Sequence, residues 1–167
     1  MLNIASIFKP HAACIVPEQR QEITTEGGLD VVGQTDRLRE ICDELTNIGS
    51  RVSLFIEADE AQITAAAELS VPVIEIHAGA YSDANPEDRP AELEKIKNGI
   101  KIATNIGLEC HVGHGLNYQN VEKIAEMREV AELNIGHFLI GEAVFSGLGN
   151  SIKRMRELID NARVQQE

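Results

Sequence analysis

Two short segments combine glycine and histidine in a way that suits acid–base chemistry. The run His111-Val112-Gly113-His114-Gly115-Leu116-Asn117 ends an apolar stretch and opens a helical pattern. Gly113 and Gly115 let backbone approach a ligand closely. His114 between them could give or take a proton near neutral pH; the same residues also make a tight turn with a surface histidine. Asn134-Ile135-Gly136-His137, followed by Ile140-Gly141-Glu142-Ala143-Val144-Phe145, reads as a last strand, a loop and a helix start. There, backbone N–H groups and the helix dipole could bind phosphate without lysine or arginine, or the segment is a plain β-to-α turn. Glu75 stands between Ile74 and Ile76 in mid-strand, where a carboxylate is costly unless paired or used. His77, two residues on, reads as a satisfied histidine rather than a ligand. The polar stretch from Pro17 to Asp30 is either a lid or a solvated loop. Its Arg20 and Thr24 could donate to a phosphate or hydroxyl.

The elements that must position these residues alternate along the chain. Short Val- and Ile-rich runs cover Ala12–Val16, Val52–Ala58, Val71–His77, Glu109–Val112 and Glu132–His137. Helical patterns cover Thr35–Asn47, Asp59–Leu69, Pro86–Ile106, Tyr118–Met127 and Ala143–Arg163. Such alternation, repeating every 30 residues or so, implies parallel strands joined by crossover helices. In the third run Ile74 and Ile76 take one face and Glu75 and His77 the other. In the second, Val52, Leu54 and Ile56 oppose Ser53, Phe55 and Glu57. In the fourth, strict alternation puts Cys110, Val112 and His114 on one face. Mixed faces of this kind suit a barrel interior with its site at the C-terminal strand ends, so a (β/α)8 barrel is preferred over an open doubly wound sheet. Only five strands are visible, whereas a complete barrel takes about 250 residues.

With 167 residues, 43% hydrophobic and 25% charged, the chain reads as one globular domain spanning residues 1–167. No apolar run approaches the roughly 18 residues of a membrane span. The net charge of −12 disfavours nucleic acid and anionic lipid as partners. Cys14, Cys42 and Cys110 are odd in number and widely spaced, which suits a reducing cytoplasm. The histidine spacing matches no clustered zinc signature, so no metal is expected. No dinucleotide or ATP fingerprint occurs either.

Several of these segments together resemble the pyridoxine 5'-phosphate synthase family of vitamin B6 biosynthesis. The residues that carry the resemblance are the run from Val16-Pro17-Glu18 to Gly27-Gly28-Leu29-Asp30-Val31, and Val52-Ser53-Leu54-Phe55-Ile56-Glu57-Ala58-Asp59. Ile74-Glu75-Ile76-His77-Ala78-Gly79, Gly113-His114-Gly115-Leu116 and Glu132-Leu133-Asn134-Ile135-Gly136-His137 complete it. The resemblance implies a (β/α)8 barrel, assembled as an octamer of dimers, that uses no cofactor. It implies condensation of 1-deoxy-D-xylulose 5-phosphate with 3-amino-2-oxopropyl phosphate to give pyridoxine 5'-phosphate and inorganic phosphate. By the same resemblance His114 is the proton donor and Glu75 stabilises the transition state. Thr24 contacts the deoxyxylulose phosphate, while Gly115, Gly136 and His137 bind the aminooxopropyl phosphate. Against the family pattern, Met1 aligns within the third helix of the barrel. The chain is thus expected to be the C-terminal portion, lacking the strands that carry the family's other catalytic and substrate-holding residues.

Two other classes stay open at the level of sequence. One is an inactive or split-enzyme fragment that only binds phosphate or a complementary chain. The other is a different phosphate-handling barrel, such as a sugar-phosphate epimerase.

Overall fold

The computed structural model describes residues 2–17 and 27–164. In chain order the elements are α1 (Leu2–Phe8), β1 (Ala12–Ile15), α2 (Thr35–Asn47), β2 (Arg51–Ile56), α3 (Glu60–Glu68) and β3 (Val73–His77). Then follow α4 (Gly79–Asp83), α5 (Arg89–Asn105), β4 (Glu109–Gly113), α6 (Val121–Ala125), β5 (Val130–Asn134), α7 (His137–Ser146) and α8 (Leu148–Val164). The five strands form one parallel sheet in the order β1-β2-β3-β4-β5. This is the architecture of a partial (β/α)8 barrel, with β1 and β5 as the sheet's outer strands.

Alternation along the strands sorts the side chains as the sequence implies. Leu54, Ile56, Ile74, Ile76, Cys110 and Val112 are fully buried and join a core with Ile63, Ala66, Ile96, Ile100 and Ala103 from the crossover helices. Fully burying side chains of this size contributes about 1.5–3 kcal/mol each, so this face holds the sheet to its helices. The opposite face carries Cys14, Ser53, Phe55, Glu75, His77 and His111. Register brings Phe55 beside Glu75 and Glu75 beside His111.

Local chemistry sets the helix starts. Asp59 caps α3, its carboxylate accepting from the backbone N–H of Ala61 at 3.0 Å and of Gln62 at 3.1 Å. Pro90 stands in the first turn of α5, where its missing N–H costs no hydrogen bond.

The last third differs from the sequence expectation. The strand expected over Glu132–His137 runs over Val130–Asn134, and His137 opens α7 instead. The helix expected from Ala143 to Arg163 is two helices, because Gly147 at φ +80° breaks it. A residue with a Cβ disfavours that conformation and glycine does not. The residue pattern alone points to neither α1 nor α4, although the family resemblance places Met1 within a helix. None of the described helices is long and apolar enough to cross a membrane.

Candidate functional site

The C-terminal ends of β2, β3, β4 and β5 converge on a cavity of about 530 Å³. Glu75, His114, Gly115, Gly136 and His137 all line it, together with Phe55, Asn134 and Leu116. Five of the six residues singled out by sequence are thus gathered at one place. The sixth, Thr24, lies outside the described residues, as does Arg20.

Glu75 is held from two sides. Its Oε2 accepts from the Asn134 side-chain amide at 3.0 Å and from the Cys14 thiol at 3.5 Å. Only 8% of Glu75 is exposed, and burial outweighs these bonds and the nearby His111, pushing its carboxyl above the usual range. The Cys14 thiol is in turn pushed up to about 12, mainly by desolvation, with the Glu75 carboxylate adding to it. Here it donates a hydrogen bond to Glu75.

His114 reaches the cavity by a route that alternation does not predict. Counting along β4 puts it with Cys110 and Val112, on the helix-covered face. Instead His114 and Gly115 adopt φ +72° and +77°, and the chain turns at the strand end. The imidazole then lies with its centroid 5.0 Å from that of His77 and 6.3 Å from the Phe55 ring. It is His111 that shares the mixed face with Glu75, and there it is occupied by Glu109 at 2.8 Å and Glu132 at 3.5 Å. Burial, then His77, hold His114 below the ordinary histidine range; Asp83 opposes this and His137 adds to it.

Gly136 and His137 begin α7. Gly136 stands at the N-cap with no side-chain cap bond, and the first turn carries no acidic residue. The opening N–H groups of a helix lack intrahelical partners, so this end faces the cavity with donors and a positive dipole end. That suits an anion.

His77 is indeed satisfied on one side: its Nδ1 meets Glu57 Oε1 at 2.8 Å. Glu57 also accepts from the Gly28 backbone N–H at 3.0 Å, and its carboxyl is held below the usual range, chiefly by the His77 bond. The sequence reading did not single out Asn134, Cys14 or the Glu57–His77 pairing. The one available signal was the period-two placement of Glu57, Glu75 and His77 on the mixed face. Among the described residues no group of three His, Cys, Asp or Glu side chains is gathered closely enough to hold a metal ion.

Residues 1–161 match the family described as "Pyridoxal phosphate biosynthesis protein PdxJ". The chain is 56% identical over 165 residues to the pyridoxine 5'-phosphate synthase of Zymomonas mobilis, an alignment covering 99% of this chain and 64% of that protein. It is 53% identical over 169 residues to the synthase of Caulobacter sp. strain K31, covering 99% and 67%. To that of Rhodopseudomonas palustris it is 51% identical over 169 residues, covering 99% and 66%. The chain therefore spans about two thirds of the length of these curated relatives. A match from Met1 to Asn161, joined to identity above one half, means that this chain belongs to the pyridoxal phosphate biosynthesis protein PdxJ family.

Proposed function

We propose that this chain contributes to pyridoxine 5'-phosphate synthesis, condensing 1-deoxy-D-xylulose 5-phosphate with 3-amino-2-oxopropyl phosphate and releasing inorganic phosphate. The observation that carries this reading is the convergence of Glu75, His114, Gly115, Gly136 and His137 on one cavity, in a chain whose relatives are named for that synthase.

In this reading the start of α7, with Gly136 and His137, holds the phosphate of the aminooxopropyl substrate through backbone N–H groups, and Gly115 leaves room for its approach. His114 donates protons in the dehydration and phosphate-loss steps that lead to ring closure. A histidine held below its ordinary range gives up a proton readily, while fewer chains carry that proton at neutral pH. Glu75, fixed by Asn134 and Cys14, stabilises positive charge that develops on the condensing amine. Thr24 contacts the deoxyxylulose phosphate. No cofactor or metal enters these steps. A homo-oligomer is supported by α7, whose Ile140, Val144 and Phe145 stand outward, the last 90% exposed. Three free cysteines suit a cytoplasmic setting.

The open outer strands β1 and β5 favour a second reading, a portion of the barrel that binds phosphate and a complementary chain. One experiment separates the two. The chain is given both phosphorylated substrates, and pyridoxine 5'-phosphate is followed chromatographically. Product that disappears in His114→Ala supports synthesis. Binding of the aminooxopropyl phosphate without product supports the second reading, and product unaffected by His114→Ala contradicts the assigned donor.

A further inference from the structure

The loop after β4 is held by a buried side chain that the chemistry above leaves unused. Asn120 is 3% exposed and stands at the N-cap of α6. An asparagine in that place ordinarily accepts from the first N–H groups of its own helix. This one makes no such bond. Its side chain turns back over the preceding loop instead.

There the amide meets two points of the loop. Its Oδ1 accepts from the Asn117 backbone N–H at 2.7 Å, and its Nδ2 donates to the Gly115 carbonyl at 3.4 Å. A backbone N–H can only donate, which fixes the orientation of the amide. One side chain thus supplies the acceptor and the donor that a neighbouring strand would supply inside the sheet. The turn needs such a hold. His114 and Gly115 stand at φ +72° and +77°, and His114 has a Cβ that disfavours this region. On the upstream side the His114 N–H donates to the Asn134 carbonyl at 3.4 Å. Ser82 of α4 presses on Gly115, where a Cβ would collide with it, yet the buried Ser82 Oγ has no hydrogen-bond partner. That contact is steric, and the polar hold downstream of His114 comes from the Asn120 amide. Asn120 is itself tied to α4, its carbonyl accepting from the Tyr81 hydroxyl at 2.8 Å.

We propose that Asn120 is a positioning residue for His114: its amide, bonded to Gly115 and Asn117, holds the loop in the left-handed turn that brings the imidazole into the cavity. The side chain forgoes capping α6 to do so. The consequence for turnover rests on the reading of His114 as proton donor; the conformation of the loop in the free chain does not.

The test is heteronuclear NMR of the unliganded full chain, for the wild type, Asn120→Ala, Asn120→Asp and Tyr81→Phe. In the left-handed region a residue's amide hydrogen lies close to its own Hα, which gives a strong intraresidue NOE. The wild type should show this NOE at His114, and Asn120→Ala should weaken it to the level of an ordinary loop residue. Tyr81→Phe removes a buried bond beside Asn120 but keeps both amide bonds, so it should retain the NOE. If Asn120→Ala does not fold, Asn120→Asp decides by the same signal, since it keeps the oxygen facing Asn117 and loses the hydrogens facing Gly115. A His114 NOE that survives the loss of the amide overturns the proposal, because Asn120 then serves only the start of α6. A NOE lost equally in Tyr81→Phe overturns it as well, since general loosening then accounts for the change. In the active enzyme kcat of Asn120→Ala should fall about tenfold to a hundredfold, with Tyr81→Phe close to the wild type; an undiminished kcat overturns the role in turnover. An inactive wild-type chain removes the proposed function, and the NOE still decides the role of Asn120.

Discussion

Asn134 donates to Glu75 across 3.0 Å, from the outer strand β5 to β3, and the bond passes over Gly113 of the intervening strand β4. A Cβ on Gly113 would collide with Glu75 Oε1 and stand 3.0 Å from the Cβ of Asn134. Gly113→Ala should therefore push the carboxylate off its partner. The expected outcome is a loss of about 1–3 kcal/mol of stability and a fall in turnover of about a hundredfold. Chemical denaturation and a synthase assay check both; an alanine variant as stable and active as the wild type would show that the bond over Gly113 matters to neither.

Glu75 carries a pH signature with a definite sign. Burial raises its carboxyl from 4.5 in the folded chain, so the folded state binds the proton more tightly than the unfolded one. Between 4.5 and the raised value the folded state keeps a proton that the unfolded state has lost. Stability therefore falls as pH rises through that window and stays lower above it. Glu75→Gln should be more stable than the wild type at neutral pH, with the advantage vanishing in acid. Its turnover should drop by about 10²–10³. Melts at both pH values and the assay read the two effects separately; a Gln variant less stable at neutral pH contradicts the sign.

His114 sits in the left-handed region at φ +72°, which costs a residue with a Cβ on the order of 1 kcal/mol or more. Both His114→Ala and His114→Gly should lose about 10²–10⁴ in turnover. They should differ in stability, with the glycine variant about 1 kcal/mol above the alanine one, because glycine adopts positive φ freely. The lowered His114 value adds a second mark. The unfolded chain takes this proton first, so stability falls as pH drops below 6.5 through the folded value. Variants without the imidazole should lose that part of the acid sensitivity.

The start of α7 can be tested without substrate. Gly136 has φ −115°, and a Cβ there meets nothing within 4 Å, so a side chain fits. Gly136→Asp should strengthen the helix by about 0.3–1 kcal/mol through the dipole, while repelling an anion from the same N–H groups. Inorganic phosphate, titrated against the backbone amide resonances of residues 136–139, should bind at least tenfold more weakly by this electrostatic argument. Equal binding by the variant would place the phosphate elsewhere.

Much of this arrangement was legible in the residues, and the exceptions have physical causes. The helix over Thr35–Asn47 and the faces of β2 and β3 follow from spacing alone, because apolar periodicity reports which side is buried. Glu75 was legible as a costly carboxylate, whereas Gly136 and His137, read as the end of a strand, open α7 instead. The face of His114 was not legible, since alternation ends where φ turns positive. The last strand was placed late, by two residues at its start and three at its end, because Ile135 extends its apolar run past Asn134 while the backbone already turns toward α7. Asn134 and Cys14 escaped notice as partners of Glu75 because they lie 59 and 61 residues away along the chain. No local pattern encodes such a meeting, and only the sheet register creates it. Thr24 lies outside the described residues.

Strand order in the sheet is the same as strand order in the chain. Each strand thus finds its partner through a single crossover, and no pairing waits on the meeting of distant ends. Loop-closure entropy is met in small, separate steps. The sheet can grow outward from β2, β3 and β4, whose strands are the most deeply buried, and add β1 and β5 last. Amide exchange should follow that sequence, slowest at Ile74 and Val112 and fastest along the two outer strands. Asn134 and Cys14, the two side chains that hold Glu75, would then come and go with the least persistent parts of the sheet. The central strands can persist as a folded unit while the Glu75 carboxylate waits for its outer partners to close around it.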